Sequence, residues 1–374
     1  SMSEPQREQL QAVIDGYTDS LLAALAQRTG TTPEQARELF ETGVFRGDEA
    51  IAAGLVDKVA YEDELRDLLG CDKKRPLMEA NRYFAFKEQR LFRPLRRRPY
   101  IAVVAIKGTI SESGAPMGRR ASIVGALRRA RHDRRALGVL LWVDSPGGSA
   151  EASDLIHREV VRVKEKKPVV AYFGEVAASG GYYVATHADS IVAQPLTITG
   201  SIGVVSARLL AKQLLDRVGI RTEVLRTGPH ADVFSPHRAL TDDERALMNR
   251  ELDAFYESFV GLVADGRGRP VEEIEPLARG RVWLATDAHR LGLVDELGGM
   301  DVALNLLKER IDVAPRLRER LEPLVVTSYR LEPPPPAAQA WIDESILGTV
   351  KDLGLLLSEG SGVLYHVISV PRIR

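Results

Sequence analysis

The sequence predicts an α/β protein built on a largely parallel sheet with helical extensions, and three observations predict it. Short apolar runs of strand length recur at 101–107, 139–143, 169–173, 191–193 and 222–226. The stretches between them carry helical periodicity, the alternation expected when helices cover a parallel sheet. With 374 residues, 44% of them hydrophobic, the chain is long enough for a large core plus appendages.

Taken in order, residues 1–72 read as a helical segment. Leu21, Leu22, Leu25 and Ala26 are predicted to line one helix face, and Thr32-Pro-Glu-Gln-Ala36 opens a further helix with an N-cap residue and proline at its first position. Residues 73–99 form a polar and aromatic linker ending in Arg93, Arg96, Arg97 and Arg98, a basic cluster that reads as a solvated linker face. Residues 100–312 form the main body. Residues 313–374 are an extension in which Pro333, Pro334, Pro335 and Pro336 make a stiff spacer ahead of an amphipathic stretch at 341–357. That stretch fits docking on a neighbouring subunit and packing within its own chain equally well.

Composition narrows the chemistry. The formal net charge is −1, so nothing points to nucleic acid. With Cys71 as its single cysteine the chain has no internal disulfide and no cysteine-based metal site, and the histidines lack ligand spacing, so no metal or cofactor is predicted. No apolar run reaches the roughly 18–20 residues a membrane-spanning helix needs.

Two glycine-rich loops carry the candidate chemistry. The run at 168–173 empties toward Gly174-Glu-Val-Ala-Ala-Ser-Gly-Gly-Tyr-Tyr183, with a helix expected to follow. A serine at such a junction faces unpaired helix amides that favour a developing oxyanion, and Gly180 and Gly181 let another backbone come close. Ser179 is therefore a candidate nucleophile, and it is equally a candidate N-cap. The run at 139–143 leads into Asp144-Ser-Pro-Gly-Gly-Ser149, where Gly147 and Gly148 can turn amides toward a ligand; the same residues also suit an ordinary turn.

Together with Thr199-Gly-Ser-Ile-Gly-Val204, these segments resemble, in order, the three signatures of the signal peptide peptidase A family of serine peptidases, over about residues 100–309. The resemblance implies a Clp protease and crotonase-like fold of stacked β-β-α units and a serine/lysine dyad without histidine. It makes Ser179 the nucleophile, assigns the oxyanion hole to Gly180 and the loop at Gly147 and Gly148, and gives Ser201 an auxiliary role in orienting the lysine. In single-domain members the lysine lies in a segment whose counterpart here is Gly228-Pro-His-Ala-Asp-Val-Phe-Ser-Pro236, and Ala231 stands in its place. Alanine has no proton to exchange, so this segment cannot supply the base.

An internal repeat offers a reason. Gly54-Leu-Val-Asp57 recurs as Gly292-Leu-Val-Asp295, and the same offset of 238 places Arg7 on Arg245, Gly30 on Gly268, Glu34 on Glu272, Val44 on Val282 and Ala50 on Ala288. Residues 1–72 thus read as the closing helices of a first copy, and the counterpart of Ala231 falls a few residues before Ser1, where the lysine is expected. Ser1-Met2 reads as a tag remnant ahead of an internal start. Double-length members of the family resemble this arrangement, one copy lending the lysine and the other the serine. A natural short form lacking the dyad is the alternative.

Other bases are weaker candidates. His187 follows Ser179 by eight residues, about 12 Å along a helix, beyond hydrogen-bond reach. His230 and His237 flank the segment that should border the site, and Lys212 is expected on a solvated helix face. The resemblance implies hydrophobic peptide substrates such as released signal peptides, held as an added strand, and a peptidase body outside the cytoplasmic membrane, with an anchoring segment upstream. Repeated units that cannot bury themselves alone predict an oligomer. A crotonase-type acyl-CoA enzyme and an inactive scaffold of the same fold are the rival classes.

Overall fold

The computed structural model describes residues 3–61, 64–70, 99–113, 118–208, 210–217, 219, 230 and 232–326. The chain divides into two units, Ser1–Pro99 and Tyr100–Arg374. In the first, the helix Glu4–Thr29 ends on Gly30 in the left-handed conformation (φ 68°), which only glycine adopts without strain. The helix Pro33–Thr42 opens with a reciprocal capping box between Thr32 and Gln35, and the short helix Gly47–Ala52 follows. Of the face expected along the first helix, Leu22 is buried, but Leu21 is exposed.

Among the described residues, the second unit is built on an eight-stranded sheet. Its strands are β1 (Tyr100–Lys107), β2 (Ala136–Ser145), β3 (Val169–Ala178), β4 (Ser190–Ala193), β5 (Ile198–Gly200), β6 (Val282–Leu284), β7 (Glu296–Leu297) and β8 (Pro323–Val325). The order is β6-β5-β3-β2-β1-β8, with β4 paired to β3 and β7, and every pairing is parallel except β5 with β6. This is the mixed α/β class with a parallel sheet that the sequence predicts. The strand expected at 222–226 and the amphipathic stretch at 341–357 lie outside the described residues.

Successive strand residues point to opposite faces, and both faces are buried. Ala102, Val104 and Ile106 of β1, with Val139, Leu141 and Val143 of β2, pack under the helices Arg120–His132 and Ala150–Lys164. Ile101, Val103, Leu140, Val170 and Tyr172 face the other way, onto Ala303 and Leu307 of the helix Met300–Arg310. The apolar runs are nearly continuous because neither face meets water.

Two expectations need correction. The third strand does not stop at residue 173. Pairing with β2 passes from Val143↔Phe173 to Ser145↔Ala177, so β3 carries two extra residues in a bulge and continues to Ala178. Asp144 holds this bulge, its carboxylate accepting the Val176 amide at 3.3 Å. The helix after Ser179 is also shorter than expected, a single turn at Gly180–Tyr183. One turn sums few peptide dipoles, so local amides matter there more than a macrodipole.

Candidate active site

The extended β3 delivers Ser179 to the point where three strands end. β5 pairs Ile198, Thr199 and Gly200 with Val176, Ala177 and Ala178, and the Ser179 amide then donates to the Gly200 carbonyl at 2.9 Å. Ser179 itself has φ 51° and ψ −120°, a conformation that costs a non-glycine residue of order 1–3 kcal/mol. A serine on such a sharp strand-to-helix turn presents its hydroxyl away from the backbone. The N-cap alternative fails on geometry, because the Ser179 side chain makes no capping hydrogen bond. The turn that follows is anchored from below. Tyr182 is fully buried and donates to the Leu293 carbonyl at 2.8 Å, while Tyr183 donates to Asp154 at 2.9 Å. Burial pushes both phenol pKa values up, so they stay protonated donors.

The second loop is locked by backbone bonds to the end of β1. The fully buried Ser145 hydroxyl donates to the Gly108 carbonyl at 2.6 Å and accepts the Gly147 amide at 3.1 Å. The Gly147 N–H is therefore already used. The Ile110 amide donates to the Gly147 carbonyl at 2.8 Å, and the Ser149 amide returns to the Ile110 carbonyl at 2.8 Å. A trans peptide sets its N–H opposite its C=O, so the Gly148 N–H points away from Ile110. Gly147 is buried and Gly148 exposed, with φ of 99° and 150°. Ser149 then caps the helix Ala150–Lys164 by accepting the Ala152 amide at 3.2 Å.

The two loops meet. A methyl group added at Gly147 would lie 2.6 Å from the Gly180 nitrogen and 2.9 Å from Ser179 Cβ; one added at Gly180 would lie 3.3 Å from the Gly148 nitrogen. Glycine is required at Gly147 because backbone occupies the space a side chain would need, and at Gly180 an added methyl would also meet the Ser153 hydroxyl at 2.4 Å. The Gly148 and Gly180 amides are thereby gathered beside Ser179. Ser201 follows Gly200, with φ 48° and its amide donating to the Arg281 carbonyl at 2.7 Å. It thus borders the same junction from β5.

The candidate bases are placed less favourably. Ala231 lies outside the described residues. Lys212 is exposed at the start of the helix Lys212–Arg217. His230 is exposed, with Nδ1 3.7 Å from Glu244. His187 is half-buried, its Nδ1 2.8 Å from His157 Nε2 and its Nε2 2.9 Å from Asp265. The Ser179 side chain makes no capping hydrogen bond, both ring nitrogens of His187 are engaged by His157 and Asp265, and among the described residues no group of three or more His, Cys, Asp or Glu is placed to hold a metal. No described helix is long and apolar enough to cross a membrane.

Sequence reasoning missed Ser145, Ile110 and Gly200. Ser145 sits inside the Asp144–Ser149 motif, but its role depends on the carbonyl of Gly108, 37 residues away. Ile110 and Gly200 act through main-chain atoms, which no side-chain pattern announces.

The model of peptidase family S49 matches residues 1–74 and 161–314, more than half of the chain, and spans Ser179 and Ser201. The chain is 33% identical to the chloroplastic serine protease SPPA of Arabidopsis thaliana, over 96% of this chain and 54% of that protein. It is 34% identical to Protease 4 of Salmonella typhi over 71% of this chain and 43% of that protein. Protease 4 of Haemophilus influenzae is 33% identical over 75% of this chain and 48% of its own length. The chain thus spans about half the length of these curated relatives. It belongs to peptidase family S49, the family of serine peptidases whose motifs it resembles.

Proposed function

We propose that Ser179 is the nucleophile of an endopeptidase acting through a serine/lysine dyad. The observation that carries this reading is the convergence of the strained Ser179 turn with the Gly148 and Gly180 amides. In the proposed reaction a lysine amine removes the Ser179 proton, and Oγ attacks the scissile carbonyl. The oxyanion is held by the N–H groups of Gly148 and Gly180. The protonated lysine then gives its proton to the leaving amine, and water hydrolyses the acyl-enzyme by the same steps in reverse. Gly147 contributes its conformation rather than its amide, since Ser145 holds that N–H. Ser201 is assigned the auxiliary role of orienting the lysine from the β5 side.

The lysine is proposed to come from a first copy of the unit. At the sequence offset of 238 the helices Glu4–Thr29 and Asp242–Arg267 coincide end to end, as do Gly47–Ala52 and Ala285–Arg290. The glycines that close them match in conformation, Gly30 with Gly268 (φ 68° and 62°) and Gly54 with Gly292 (φ 72° and 78°). These correspondences support reading residues 1–72 as the end of an earlier repeat whose counterpart of Ala231 precedes Ser1. The substrates proposed are hydrophobic peptides, including released signal peptides, bound as an added strand. Homo-oligomerisation and membrane association through an upstream segment are part of the same proposal, with the peptidase body on the extracytoplasmic side.

The test is hydrolysis of a fluorogenic hydrophobic peptide amide by full-length protein. Ser179→Ala is expected to reduce turnover to the uncatalysed background. Turnover close to wild type in that variant would refute the nucleophile assignment.

A further inference from the structure

The two glycine loops belong to elements that are tied together at successive points along their length. His157 follows Ser149 by eight residues on the helix Ala150–Lys164, and His187 follows Ser179 by eight residues. Three ties run between these elements. Nearest the site, Gly180 packs so closely on Ser153 that an added methyl would lie 2.4 Å from its hydroxyl. Next, Tyr183 donates to Asp154 at 2.9 Å. Farthest along the chain, His157 Nε2 meets His187 Nδ1 at 2.8 Å, and the His157 and Tyr183 rings pack in a T-shaped arrangement with centroids 5.5 Å apart. His187 Nε2 reaches on to Asp265 of the helix Asp242–Arg267 at 2.9 Å.

We propose that His157 and His187, ordered by Asp265, are positioning residues that hold the Gly148 and Gly180 amides at the spacing an oxyanion needs; this rests on the reading of Ser179 as nucleophile. The chemistry favours a link in one proton order. A carboxylate at Asp265 accepts the His187 Nε2–H, which leaves His187 Nδ1 as an acceptor for the Nε2–H of His157. His157 is only 7% exposed, so a partner for its ring is worth more there than at the surface. Asp265 is 81% exposed and serves mainly to choose the tautomer. With a single added proton one ring still donates and the other still accepts, so the link survives. A second proton sets two N–H groups against each other and breaks it.

The test uses the full-length protein, a fluorogenic hydrophobic peptide amide as substrate, and a peptide aldehyde whose hemiacetal with Ser179 places an oxyanion in the hole. His157→Leu removes the link. It is expected to lower kcat and aldehyde affinity about tenfold each while KM stays within about twofold, the pattern of an interaction made in the transition state. His157→Gln, whose side-chain amide reaches the Nε2 position, is expected to recover kcat to within about threefold of wild type. At the half-buried partner, His187→Leu and His187→Asn should behave as the same pair, so the test does not depend on one buried substitution folding. Wild-type kcat in both leucine variants, equal losses in the leucine and amide variants, or a loss confined to KM overturns the inference. A parallel Ser179→Ala control separates the two claims: if it is inactive while the leucine variants are fully active, only the positioning role falls; if it retains activity, the nucleophile reading falls.

Discussion

The Ser179 amide donates to the Gly200 carbonyl at 2.9 Å, and this bond joins the candidate nucleophile to the strand that ends immediately before Ser201. It is the last step of the β3–β5 ladder, made by a residue whose own φ of 51° has already left the strand. Pairing on one side and the anchored tyrosine turn on the other hold Ser179 in a conformation that serine alone does not favour.

That conformation predicts an unusual stability response. Ser179→Gly should be inactive yet unfold at an equal or higher temperature, with a gain of up to about 1 kcal/mol, because relief of positive-φ strain outweighs the entropy of an added glycine. A clear loss of thermal stability would show that the turn is not strained.

Gly180 and Ser153 predict a coupled pair. Gly180→Ala alone drives its methyl to 2.4 Å from the Ser153 hydroxyl, and should cost about 1–3 kcal/mol. Adding Ser153→Ala should return part of that loss, so the two changes will be non-additive in urea unfolding. Strict additivity would contradict the contact.

Ser145 is predicted to matter through one hydroxyl. Ser145→Ala leaves the buried Gly147 amide without its acceptor, at a cost of about 1–3 kcal/mol. It should also lower kcat, since a freed Gly147 peptide no longer fixes the loop bearing Gly148. Chemical denaturation and steady-state kinetics read the two effects separately; no change in either would contradict the role.

His157 should impose a pH dependence on stability. Burial first, then repulsion from His187 and Arg158 against the pull of Asp154, lowers its pKa from 6.5 to about 4. Because the unfolded chain takes up this proton more readily, the contribution is fully present above about pH 6.5 and is lost as pH falls toward about 4, by at most roughly 3 kcal/mol. His157→Gln should flatten the stability curve over that interval, as thermal unfolding at successive pH values would show. An unchanged slope would contradict a buried neutral imidazole.

How much of this was legible in the sequence depends on the range of the interactions. The strands at 101–107, 139–143, 169–173 and 191–193 could be read because both sheet faces are buried and their apolar runs are unbroken. The loop at Gly147 and Gly148 and the serine at 179 were visible as local glycine patterns. The continuation of β3 through Gly174-Glu-Val-Ala-Ala178 was not, because those residues have turn composition and are held extended by Asp144 and β5. The antiparallel closure of β5 on β6 and the parallel addition of β8 beside β1 join residues far apart in sequence. The narrowing of the loop's share of the proposed hole from Gly147 and Gly148 to the Gly148 amide likewise follows from Ser145 and Ile110, whose partners only the fold brings near.

The central claim is that Ser179 is the activated serine and that its base lies outside residues 1–374. Reaction with a fluorophosphonate, followed by peptide mapping of the adduct, tests it most directly. In the full-length protein the adduct is predicted on Ser179, with residues 1–374 alone reacting far more slowly. An adduct on a different serine, or equally rapid labelling of residues 1–374 alone, would contradict it.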